Sequence, residues 1–80
     1  MTAQRTVATV RHWDEASGCG VLDSAETPGG VWADAAVVED DRPLRAGQVV
    51  HLEWEVRPRE GFDYVATCIE TDPALENPGG

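Results

Sequence analysis

The chain has 80 residues, 6 basic and 15 acidic, for a formal net charge of −9. That length holds one small core and not two. No apolar run approaches the ~20 residues of a membrane span, and 2 cysteines are too few for a disulfide framework. The charge argues against loose electrostatic attachment to nucleic acid or an anionic membrane. All bases are arginine. The opening Met1-Thr2-Ala3-Gln4-Arg5 leads into no apolar stretch of the signal-peptide kind, so the expectation is a cytoplasmic protein with free thiols.

Helical periodicity is nearly absent, and short strand signals alternate with turn signals. Thr6 to Trp13, rich in Val, Thr and Trp, reads as a first strand, and Asp14-Glu15-Ala16-Ser17-Gly18 as a turn. Cys19 to Asp23 is a short second strand. Ser24 to Gly30 is a loop, marked by Pro28-Gly29-Gly30. Val31 to Val37 reads as a third strand, followed by the polar Glu39-Asp40-Asp41-Arg42-Pro43 and a tight turn at Arg45-Ala46-Gly47-Gln48. In Val49 to Val56, Val50, Leu52, Trp54 and Val56 alternate with Val49, His51, Glu53 and Glu55. Such alternation puts one face in a core and the other in water. Arg57-Pro58-Arg59-Glu60-Gly61 turns the chain, and Phe62 to Ile69 is a fifth strand. From Glu70 onward the sequence holds acids, prolines and glycines but no base, and reads as a disordered acidic tail, with residues 71–80 outside the folded domain of residues 1–70.

Five strands without a substantial helix predict an all-β barrel, because a flat sheet would expose an apolar face and two open edges. The OB-fold and the SH3-like barrel are the natural candidates. The expected core is Val10, Leu22, Val31, Val50, Leu52 and Trp54.

The order of motifs resembles the bacterial cold-shock domain. Val10-Arg11-His12-Trp13-Asp14, then Ser17-Gly18-Cys19-Gly20-Val21-Leu22, is similar to that family's Val-Lys-Trp-Phe-Asn and Lys-Gly-Phe-Gly-Phe-Ile. Gly30-Val31-Trp32-Ala33-Asp34-Ala35 resembles its Asp-Val-Phe-Val-His-Phe. Leu44-Arg45-Ala46-Gly47-Gln48-Val49-Val50-His51-Leu52-Glu53 resembles its Leu-x-x-Gly-Gln-x-Val-x-Phe-Glu. The resemblance spans about residues 7 to 69. It implies a five-stranded antiparallel OB-fold barrel that binds single-stranded RNA or DNA by stacking bases on aromatics of its first three strands. Each stacked base is worth roughly 1–3 kcal/mol.

The departures from that pattern fall on the binding positions. The family's stacking Trp corresponds to His12 and the next Phe to Trp13, two stacking Phe positions are Cys19 and Val21, and the Lys is Ser17. Phe-Val-His-Phe becomes Trp32-Ala33-Asp34-Ala35, and a further Phe falls near Asp41. Asp34 repels phosphate where the family has His. The resemblance therefore implies a nucleic-acid site of Arg11, His12, Trp13, Cys19, Val21 and Trp32, with reduced affinity. The alternative is a protein-interaction module on a barrel that has lost the nucleic-acid face. Strict alternation in the first strand groups Arg11 with Trp13, whereas the resemblance puts Arg11 with His12 on the binding face. A bulge would reconcile the two.

Other chemistry has weaker support. His12, His51, Cys19 and Cys68 lack metal-ligand spacing, and no cofactor motif is present. The acids Glu39-Asp40-Asp41 and Glu53/Glu55 have no nucleophile or histidine converging on them, which favours a solvated surface over an enzyme. Arg57 and Arg59 read as surface charge beside Glu60 and Asp63.

Overall fold

The computed structural model describes residues 4–39 and 44–76, with Glu76 described by its backbone only. Alternation builds the long strands. In β4 (Val49–Arg59), Val50, Leu52 and Trp54 are buried while His51, Glu53 and Glu55 remain partly exposed. In β1 (Gln4–Asp14), Ala8 and Val10 point inward between exposed neighbours. With β2 (Cys19–Asp23), β3 (Val31–Asp34) and β5 (Phe62–Thr71), these strands form a closed barrel in the order β1-β2-β3-β5-β4.

All six expected core residues lie in one interior, joined by Ala8, Ala33, Leu44, Ala66 and Ile69. Burying a side chain of this size contributes about 1.5–3 kcal/mol. Trp54 is 7% exposed. Its ring meets Tyr64 edge-on at 5.1 Å between centroids, and its Nε1–H is buried without an acceptor among the described residues.

The barrel is mixed rather than wholly antiparallel. β3 and β5 run parallel, with Val31 opposite Tyr64 and Trp32 opposite Val65, while the other four pairings are antiparallel. The reason is geometric: strand direction cannot alternate all the way round a closed ring with an odd number of strands, so one seam must be parallel.

β1 runs two residues earlier and one later than the sequence reading, and three further boundaries differ from it. β3 ends at Asp34, and residues 35–37 form a 3-10 turn. Asp34 Oδ1 accepts the Ala36 N–H at 2.9 Å, the local bond by which aspartate draws a chain out of a strand. β4 continues to Arg59, because Arg59 pairs with Phe62 around the two-residue turn Glu60-Gly61. Both turn residues have positive φ, 54° and 87°, the conformation that matches hairpin twist. A register shift at Val56/Arg59 accommodates Pro58. Glu70 and Thr71, assigned to the tail by the sequence, are the last residues of β5, opposite His51 and Val50. Beyond them α1 (Pro73–Glu76) makes one helical turn, and Asp72 Oδ2 lies 3.0 Å from His51 Nε2. Asp41 and residues 77–80 lie outside the described residues. No helix among those described is long and apolar enough to cross a membrane.

Candidate nucleic-acid interface

The sequence left the facing of the first strand open, and a bulge decides it. Val10 pairs with Leu22 and His12 with Val21, so Arg11 is the unmatched residue between them. Beyond the bulge His12 faces outward with Val21, and Trp13 pairs with Gly20. Trp13 is half-buried and packs against the core. The absence of a side chain at Gly20 makes this possible, since a Cβ there would lie 2.5 Å from Trp13 Cε3. Trp13 therefore stands apart from the outward-facing candidates.

The pairing brings the other candidates into two rows across β1, β2 and β3. One row is His12, Val21 and Trp32, and the next is Asp14, Cys19 and Asp34. Cys19 Sγ lies 3.1 Å from Ser17 Oγ. Bonds from Ser17 and from the Ala16 N–H hold the Asp14 carboxyl below the usual carboxylate range, so this row carries negative charge at neutral pH.

Arg11 is on the outer surface but is not a free cation. Its Nε and Nη2 both bond the Asp23 carboxylate, Nε at 2.9 Å to Oδ2, and Nη2 also reaches the Gly29 carbonyl at 3.3 Å. The guanidinium in turn depresses the Asp23 pKa. Arg5 is likewise engaged, by Glu53 at 2.8 Å and Glu70 at 2.6 Å.

The fuller site lies on the other side of Trp32, in an open groove of about 290 Å³ between β3, β5 and the β4–β5 hairpin. Val65 and Ala66 contribute its apolar surface, and Asp34, Glu55, Arg57 and Arg59 its charged groups. The Arg59 guanidinium carbon sits 4.4 Å from the centroid of the Trp32 ring, within the range of a cation–π contact. Arg59 has no carboxylate partner among the described residues, whereas Arg57 is paired with Glu55 at 2.7 Å. Thr67, the unmatched residue of a bulge in β5, also lines the groove, and its Oγ1 is buried without a partner among the described residues.

The sequence reading passed over Arg57, Arg59 and Thr67 as site residues. The signal that points to them is topological: a five-stranded closed barrel needs a parallel seam, and a seam between β3 and β5 carries the β4–β5 hairpin to Trp32.

Both cysteines are free thiols. Burial, and then the Glu39 carboxylate that Cys68 Sγ–H faces at 3.3 Å, push the Cys68 thiol up to about 11, which leaves it a poor nucleophile at neutral pH. No group of three or more His, Cys, Asp or Glu among the described residues could hold a metal ion. Comparisons with protein-family models, curated proteins and solved structures find no match to this chain.

Proposed function

We propose that the chain is an OB-type barrel, similar to a cold-shock domain, that binds single-stranded RNA or DNA with reduced affinity. The strand order β1-β2-β3-β5-β4 supports the OB assignment, since that fold is a five-stranded Greek-key barrel using its second and third strands and the β4–β5 loop for ligands. The observation that carries the functional reading is the Arg59–Trp32 stack in the groove beside that loop. A flat cation resting on a tryptophan marks a face that a flat base can take in exchange. Arg59, once displaced, is free to pair with the adjoining phosphate. Trp32 is the ring and Arg59 the cation of this site, and His12, Val21 and Cys19 extend it across β2 toward β1.

Reduced affinity follows from what surrounds that contact. Trp13 is turned inward, Arg11 is held by Asp23, and the Asp14–Asp34 row is acidic. Loss of several stacking rings at about 1–3 kcal/mol each leaves binding at about micromolar or weaker.

The neutralised Arg11 and the acidic row also favour a second reading, a protein-interaction module on the same barrel. A titration with oligothymidine and an RNA pool at low salt, followed by tryptophan fluorescence, separates the two. Micromolar binding supports the nucleic-acid reading, and nanomolar binding would refute the reduced affinity. No binding by the wild type, with clear binding by a variant carrying Cys19→Phe, Val21→Phe and Ala35→Phe, would establish the second reading.

A further inference from the structure

We propose that Asp34 makes the Trp32 groove selective for a base carrying an exocyclic amine, cytosine above thymine. The inference rests on the reading that Trp32 stacks on a nucleobase, and it assigns that site a preference.

Trp32 and Asp34 are alternate residues of β3, both outside the buried Val31 and Ala33, and both line the groove. Alternate residues on one strand face lie about 6.6–6.8 Å apart. An amine on the edge of a stacked ring and the oxygen it bonds together reach about 5–6 Å from the ring centre, so a carboxylate one strand repeat from the ring comes within range of its edge. The Asp34 carboxylate is oriented by its own backbone, since Oδ1 accepts the Ala36 N–H. Oδ2 has no partner among the described residues. The other carboxylate lining the groove, Glu55, is engaged by Arg57. Asp34 is thus the acceptor available to a base lying on Trp32.

An ionised carboxylate only accepts hydrogen bonds. Cytosine presents N4–H₂, a donor, whereas thymine presents O4 at the corresponding edge, an acceptor. The first pairs with Oδ2, and the second meets it with like partial charge. The aspartate that repels the phosphate backbone therefore discriminates between bases.

The test is a fluorescence titration at neutral pH and low salt with oligodeoxycytidine and oligothymidine of equal length. It uses the wild type, Asp34→Asn and Trp32→Ala. The wild type should bind oligodeoxycytidine about tenfold more tightly, the ratio for one hydrogen bond to a charged acceptor. Asp34→Asn keeps an Oδ1 for Ala36 and puts a donor where Oδ2 stood, so the cytosine preference should be lost or turn toward thymine. Loss of the negative charge strengthens both alike and leaves the ratio as the readout. Equal affinities in a wild type that binds, or a cytosine preference that survives Asp34→Asn or Trp32→Ala, would overturn the selectivity and leave the nucleic-acid reading standing. Absence of binding to either oligomer would overturn both.

Discussion

Two arginines on opposite sides of Trp32 have different partners. On the β1–β2 side Arg11 is gripped by the Asp23 carboxylate, and on the β3–β5 side Arg59 rests on the Trp32 ring. A carboxylate cancels the charge of its cation, and an incoming phosphate would have to displace another anion. An indole face leaves the cation its full charge and is itself a stacking surface. The difference teaches that the presence of an arginine on a binding face is less informative than what already holds it.

The largest expected effect removes both regions together. Trp54 fills the barrel interior between β4 and β5, so Trp54→Ala should cost roughly 3–5 kcal/mol, which approaches the whole stability of a small domain. Because the Trp54 Nε1–H is buried without an acceptor among the described residues, Trp54→Phe removes an unsatisfied donor along with some volume and should cost much less. Urea titration of both variants checks this. Equal losses would mean that the indole nitrogen carries no penalty.

The next effect separates the regions by stacking. Trp32→Ala should weaken single-strand binding by about 1–3 kcal/mol, whereas His12→Ala, two strands away in the same row, should change it by no more than about 0.5 kcal/mol. Fluorescence from the remaining tryptophans, or anisotropy of a labelled oligomer, gives the comparison. A larger loss at His12 would move the site onto the β1–β2 side.

Much of this architecture was legible in the sequence because burial writes a period of two into strands. Val50, Leu52 and Trp54 announce their face, and Val10, Leu22 and Val31 follow from it. The parallel seam was implicit in the strand number but not in any residue. The bulge at Arg11 was harder to see: it flips the facing of His12 and Trp13, and its visible correlate is Gly20, whose missing side chain makes room for the Trp13 ring. Of the candidate site, the strand positions Trp32, Asp34, His12, Val21 and Cys19 were legible, and the hairpin arginine was not. That cation comes from a hairpin about twenty-seven residues downstream of Trp32 in the sequence, and only the closed barrel brings that hairpin to the ring.

Salt dependence sharpens the contrast between the arginines. Each phosphate neutralised on a single strand contributes about 0.7 to the slope of log affinity against log salt. Arg59→Ala should lower the slope by about that amount, and Arg11→Ala should leave it unchanged because Asp23 already neutralises Arg11. A fall in slope for Arg11→Ala would show that phosphate competes successfully with the aspartate.

The smallest effect concerns the Arg11–Asp23 pair itself and appears as pH dependence. The hydrogen bond from Arg11 holds the Asp23 carboxyl below its ordinary range in the folded protein, and unfolding returns it to that range. A depressed folded pKa stabilises the native state above the unfolded value, and the stabilisation is lost as pH falls below the ordinary carboxylate range and through the folded value. Both side chains are nearly half exposed, at 46% and 49%, so solvent screening keeps the contribution small. Asp23→Asn should therefore lower the neutral-pH melting temperature by at most a few degrees, and the gap from the wild type should close as the pH is lowered through the acidic range below the ordinary carboxylate value. The same variant releases Arg11 and should steepen the salt slope for single strands by about 0.7 if a strand crosses the β1–β2 face. A melting gap that persists at low pH would mean that Asp23 stabilises the barrel through something other than its charge. An unchanged slope would confine the nucleic acid to the Trp32 groove.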